Sequence, residues 1–329
     1  MSDVLETSKD LTSVDSEIGW FVGMVAPDLD KSDAIPISQQ LRVLFENASK
    51  YKGVSLHREE QLRRSQVRHD ALLAAYQGNC SDQHPSKEAS ALLLLNEQYF
   101  RKFQIHEDQG IRNAYRYSVS MLQDHLNALQ SQARCNNLDD HIEIRFYKLL
   151  RRDTVGVHHS LSLICLAVGI DFKNIQNQYS EFKYMIDAVA QAVGFLNDYY
   201  SAPLELNLLY KQIKEDGDDY TDEHVVKSRI QSNLMLLYWR DGLSIEDAAE
   251  KTINDYHLQV SCFYSCKNIL LNEIRTNPEF RKATYACESF LFGHASWGAF
   301  SGRYNEGSGF QGSPEFVHQK IMCFSYNLI

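Results

Sequence analysis

The sequence predicts an all-α protein, and three observations carry that prediction. Only 16 Gly and 6 Pro occur in 329 residues, too few for a turn-rich β fold. The long stretches are built from Leu, Ala, Gln, Glu and Lys, residues that lose little freedom on entering a helix. Hydrophobic residues make up 44% and aromatics 11%, enough to fill a large core. The net charge of −10 offers no electrostatic footing for nucleic acid. Seven cysteines are odd in number and scattered without a CxxC pair, so neither disulfides nor a structural zinc site is expected. Cys262 and Cys266, at i and i+4 on an apolar stretch, read as core thiols. No basic-then-apolar leader and no apolar run of spanning length is found, which predicts a cytoplasmic protein with no membrane span.

Along the chain, residues 1–17 are polar and acidic and read as a frayed terminus, 18–304 as one helical domain, and 305–329 as a tail. Residues 18–26 form an apolar helical run that ends in Pro27, Asp28, Asp30 and Asp33. Acids at that end of a helix meet the negative pole of its dipole, so they call for a cation or for solvent. Between 46 and 87, Lys50, Lys52, Arg58, Arg63, Arg64 and Arg68 mark a solvated helix face. Ser86 can cap the next helix, and a further helix is predicted over 109–134. Asp139, Asp140 and Glu143 precede another helix, where capping and the dipole explain them. Asp218, Asp219 and Asp222 lie in a Lys/Glu/Gly/Asp loop and are expected to face solvent. Gly242 reads as a helix C-cap and Ser244 as an N-cap, with Asp247 in capping-box position.

The stretch that carries chemistry is Asn197-Asp198-Tyr199-Tyr200-Ser201-Ala202-Pro203-Leu204-Glu205. Asn197, Ser201 and Glu205 fall at i, i+4 and i+8, which stacks an amide, a hydroxyl and a carboxylate on one helix face. Three oxygen ligands in a row suit a small hard cation such as Mg2+. Pro203 lies inside that helix, removes one amide donor and predicts a bend between Ser201 and Glu205.

This stretch resembles the N-D-x-x-S-x-x-x-E metal-binding triad of class I terpene synthases. Three other segments carry the same resemblance in the family's order. Tyr147 with Arg151, Arg152, Thr154 and Gly156 is similar to the Y-x-x-x-R-R-x-T-x-G segment, at the usual 46-residue interval before Asn197. Trp297, Arg303 and Tyr304 match the terminal W-x-x-x-x-x-R-Y signature. Trp20 followed by Asp28 and Asp33 is similar to the aromatic helix that ends in an Asp-rich motif, although Leu29 stands where a second acid is usual. Leu204 occupies a position that is often basic in the family.

The resemblance implies an antiparallel helical bundle of the isoprenoid synthase type and a Mg2+-dependent terpene cyclase. In that reading three Mg2+ ions are held by Asn197, Ser201, Glu205, Asp28 and Asp33. Arg151, Arg303 and Tyr304 bind the diphosphate, Thr154 marks a helix break, and Phe195 and Trp297 line the pocket. The substrate is an allylic prenyl diphosphate, with farnesyl placed ahead of geranylgeranyl and geranyl. Its departure leaves a carbocation that cyclises to a hydrocarbon or alcohol. A homodimer is compatible with the sequence. Two alternatives stay open: a non-catalytic helical binding protein built on the same fold, and a prenyl-chain elongase, for which two well-placed Asp-rich motifs would be needed.

Overall fold

The computed structural model describes residues 66–67, 70–78, 93, 96–136, 141–300 and 304. A π-helical turn, Asn96–Phe100, leads into α1 (Arg101–Gln104), α2 (Gln109–Asn136), α3 (Ile144–Thr154), α4 (Val157–Ala167) and α5 (Phe172–Gln178). Then follow α6 (Ser180–Glu215), α7 (Glu223–Ser228), α8 (Leu234–Arg240), α9 (Ile245–Ile269), α10 (Leu271–Thr276) and α11 (Pro278–Phe300). No strand occurs among the described residues. The helix predicted over 109–134 is therefore present as α2, two residues longer at its C-terminal end.

The chain divides into two compact units. Of the described residues, the first takes those up to 126 with 159–178 and 279–293, and the second takes those in 127–158 and 179–278 and those from 294 on. Within the first, a buried polar network ties together residues far apart in sequence. Tyr76 OH pairs with Ser118 Oγ at 3.0 Å, and Tyr115 OH donates to the Tyr76 carbonyl at 3.0 Å. Asn96 Nδ2 donates to that same carbonyl, and Gln104 Nε2 donates to Tyr115 OH at 2.9 Å. His159 closes the network through Nδ1 and the Ser118 carbonyl at 3.0 Å. Satisfying each of these buried groups removes a desolvation cost of about 1–3 kcal/mol apiece.

The second unit is organised on α6, a 36-residue helix that packs against α9, α3 and α8. Its middle is mostly buried, with Phe182, Met185, Ile186, Val189, Ala190 and Leu196 inside, while Lys183, Asp187 and Gln191, at i, i+4 and i+8, mark the one side that stays partly open. The helix continues through Pro203, which lacks the amide that would bond the Tyr199 carbonyl one turn back. The cap between α8 and α9 forms as the sequence predicts. Gly242 adopts φ +110°, Leu243 N reaches the Tyr238 carbonyl at 3.2 Å, and Ser244 Oγ accepts from Asp247 N at 3.0 Å. α3 is fixed at its start by Arg240, whose Nη2 donates to the Ile142 carbonyl at 2.8 Å. Mid-helix it is held by Lys148, which pairs at 2.7 Å with Asp255 of α9.

Two expectations take a different form. Cys262 is exposed and Cys266 half-buried, so these are not core thiols; among the described residues the buried cysteines are Cys165 and Cys287. An i, i+4 pair shares a face, but apolar neighbours do not say which face turns inward when α9 packs on one side only. Glu143 is the N-cap residue of α3, yet its side chain makes no capping bond. Asp218, Asp219 and Asp222 are exposed as expected, and each is locally engaged: Asp218 with Arg229, Asp219 with Thr221, and Asp222 as the cap of α7 through His224 N.

Candidate active site

Asn197, Ser201 and Glu205 follow one another by single turns of α6, and their side chains form a continuous polar edge in the second unit. Ser201 is buried and its Oγ donates to Glu205 Oε1 at 3.1 Å. Adjacent ligands of an octahedral Mg2+, at 2.0–2.1 Å from the ion, lie about 3 Å apart, so this oxygen pair has the separation of one coordination edge. Ser201 Oγ also accepts from Asn233 Nδ2 at 3.2 Å, which fixes its rotamer. Among the described residues no group of three or more His, Cys, Asp or Glu gathers as a metal site. Of the three oxygen-bearing side chains, Ser201 and Glu205 are in direct contact, and Asn197 is linked to them through Arg151, Asp198 and Asn233.

Arg151, near the C-terminal end of α3, lies against this edge. Its Nη2 donates to Asn197 Oδ1 at 2.7 Å, and its Nε lies 2.9 Å from Asp198 Oδ1. The second contact is an ion pair without the alignment of a hydrogen bond. The close approach depends on Gly194, where a Cβ would stand 3.1 Å from Arg151 Cγ. Asp198 is held from two more helices: its Oδ2 accepts from Tyr147 OH at 2.9 Å and from Leu234 N at 2.9 Å. Burial works against the charged guanidinium, yet Asp198, then Tyr147, Glu205 and Tyr304, outweigh it and raise its pKa. Burial pushes the Asp198 carboxyl up, while Arg151 pulls it back. Burial, followed by the Asp198 charge, holds Tyr147 well above the usual phenol value, so it remains a donor.

Asn233 supports the same edge from the start of α8. It sits at φ +75°, a conformation that Asn tolerates better than most residues, and its Oδ1 accepts from Met235 N at 3.1 Å and Leu236 N at 3.3 Å. Its Nδ2 donates to the Asp198 carbonyl at 2.8 Å, and its amide donates to Tyr147 OH at 3.0 Å.

An aromatic group borders the other side of Asn197. Asn197 Nδ2 donates to Tyr304 OH. The Tyr304 ring stacks on Tyr200 at 5.8 Å and meets Trp297 edge-on at 5.5 Å. Gly298 makes room for this, since a Cβ there would collide with the Tyr200 ring. Tyr200 OH donates to the Ala295 carbonyl at 3.3 Å.

Comparison with known proteins decides the family. The model of terpene synthase family 2, C-terminal metal binding, matches residues 54–257. The chain belongs to that family. It is therefore a terpene synthase, and solved structures of such enzymes share its all-α isoprenoid synthase fold. A variant of cucumene synthase superposes with a TM-score of 0.65 at 15% identity, covering 86% of this chain and 86% of that one. α-Eudesmol synthase gives 0.62 at 14% identity, covering 86% and 84%. Linalool/nerolidol synthase from Streptomyces clavuligerus, in complex with 2-fluorogeranyl diphosphate, gives 0.60 at 13% identity, covering 86% of each. No curated protein matches the sequence. No single helix among the described residues of this terpene synthase is long and apolar enough to cross a membrane.

Of the residues singled out from the sequence, Arg151, Asn197, Ser201, Glu205 and Tyr304 meet in one network, joined through Asp198 and Asn233. Trp297 packs on Tyr304. Phe195 is buried on α6 with the Lys148 ammonium 5.7 Å from its ring. Thr154 ends α3; its Oγ1 turns back to the Arg151 carbonyl at 3.4 Å, and Gly156 with φ +78° breaks the chain direction as expected. Asp28, Asp33 and Arg303 lie outside the described residues. Asp198, Tyr147 and Asn233 were not assigned roles by sequence reasoning. Two carried a signal: Asp198 is a fixed member of the triad motif, and Tyr147 stands at i−4 from Arg151, on the same helix face. Asn233 showed only as a polar residue ahead of the apolar run of α8, an N-cap pattern that says nothing of α6.

Proposed function

We propose that this terpene synthase is a Mg2+-dependent cyclase of an allylic prenyl diphosphate, with farnesyl diphosphate as its first candidate substrate. Asn197, Ser201 and Glu205 would hold metal, joined by Asp28 and Asp33 to make three ions. Bound there, Mg2+ supplies Lewis acidity that stabilises charge on the departing diphosphate. Arg151, Arg303 and Tyr304 orient the same anion, Arg151 being suited because its planar fork donates two bonds to phosphate oxygens without losing charge. Phe195 and Trp297 supply aromatic faces that accommodate a carbocation without attacking it, and an apolar surround excludes water.

The observation that supports the reading is the 2.7 Å bond between Arg151 Nη2 and Asn197 Oδ1, the two groups to which the reading assigns diphosphate and metal. The linalool/nerolidol synthase complex with 2-fluorogeranyl diphosphate supports including the geranyl chain among the substrates tested. The test is incubation with farnesyl, geranyl and geranylgeranyl diphosphate, with and without Mg2+, read by diphosphate release and gas chromatography. A cyclised hydrocarbon or alcohol that appears only with Mg2+ is expected. A product that requires isopentenyl diphosphate would make it an elongase, and no diphosphate release from any of the three would remove the proposal.

A further inference from the structure

Arg151 is held at two points of different character. At Nε it faces Asp198, whose carboxylate cannot turn because Tyr147 OH and Leu234 N, each at 2.9 Å, occupy Oδ2. The backbone of Asp198 is pinned as well, by Asn233 Nδ2 on its carbonyl at 2.8 Å. At Nη2 it rests on Asn197 Oδ1, an uncharged acceptor on a side chain that is half-buried. Tyr304 OH accepts from Asn197 Nδ2 and so sets which way the amide faces. The oxygen that Arg151 occupies is the one the proposed function assigns to metal. Two positive groups on one amide oxygen repel, so the weaker contact of Arg151 is the one that gives.

We propose that Asp198 is a positioning residue, a fixed pivot that retains Arg151 through Nε when metal loading displaces Nη2 from Asn197. The freed end of the guanidinium then turns to the diphosphate. The inference rests on the metal reading above. It makes cation binding and anion binding reciprocal: diphosphate draws Nη2 off Asn197 and strengthens the cation, and the cation frees Arg151 for diphosphate. A pivot differs from a strut in this respect, because it governs the coupling between the two ligands rather than either affinity alone.

The test is binding of Mn2+ to the full chain by electron paramagnetic resonance, with and without inorganic diphosphate. Diphosphate should tighten Mn2+ by about fivefold or more in the unaltered protein. Arg151→Gln should tighten Mn2+ in the absence of diphosphate and abolish the enhancement. Asp198→Asn should cut the enhancement at least fivefold while leaving the affinity for Mn2+ alone within about twofold. Should that variant not fold, Tyr147→Phe, which loosens the same carboxylate, must lower the enhancement in the same direction. An enhancement unchanged in whichever of these two is folded overturns the pivot and leaves the metal site standing. An Arg151→Gln protein that binds Mn2+ no more tightly does the same. Mn2+ binding absent from the unaltered protein under both conditions overturns the metal reading and the pivot together.

Discussion

Arg151 and Asn197, 46 residues apart, share a 2.7 Å hydrogen bond in which the guanidinium occupies the amide oxygen at the head of the α6 edge. The adjacent Asp198, almost fully buried, neutralises the guanidinium from the same turn of the helix. One turn of α6 thus supplies both the counter-charge for Arg151 and an oxygen that Arg151 covers.

Asn197→Ala and Glu205→Ala are each expected to lower turnover about 10³-fold or more, since each removes a proposed ligand of the charge-stabilising ions. Diphosphate release measures this, and a single cooperative melting transition in both variants separates the effect from unfolding. Wild-type turnover in either would remove the triad from the mechanism.

Gly298→Ala should destabilise the protein by about 1–3 kcal/mol, because the new methyl group meets a Tyr200 ring that Tyr304 stacks against. The cost should shrink in a Tyr200→Ala background, where the obstructing ring is gone. A double-mutant cycle in urea reads the difference. Equal costs in the two backgrounds would show that the collision is relieved elsewhere.

His159 is buried against Ser118, and burial, with His125 adding, lowers its pKa to about 3. An unfolded chain has this imidazole near 6.5, so between about pH 6.5 and 3 the unfolded state binds the extra proton. The stability contributed by keeping His159 neutral is whole above pH 6.5 and is lost as the pH falls. From pH 7 to pH 5 the loss should be about 2 kcal/mol from this group. Denaturation of His159→Gln at the two pH values should show a pH dependence smaller by that amount.

Tyr256 is 1% exposed, and its hydroxyl has no hydrogen-bond partner among the described residues. Tyr256→Phe keeps the ring and removes a buried polar group left unpaired, so it is expected to raise stability by about 1 kcal/mol. A lower Tm in the variant would show that the hydroxyl is satisfied in solution.

The helical class was legible because composition and run length act locally, as were the turn at Gly242–Ser244 and the polar edge of α6, which need only the 3.6-residue period. That Arg151 and Asn197 would lie at one site was expected from the resemblance of both segments to one family, not from the spacing itself, and the direct bond between them was not expected. Which face of a helix turns inward was not legible: Cys262 and Cys266 share a face by spacing, and packing put it outside. Nor was the role of Asp198. A buried carboxylate takes its meaning from the charges and donors that other helices bring to it, here Arg151, Tyr147 and Leu234, 36 to 51 residues away. The sequence by itself determined what each turn of helix could offer. The tertiary structure decided which offers were taken up, because desolvation and Coulomb energies are settled only when distant segments share one low-dielectric space.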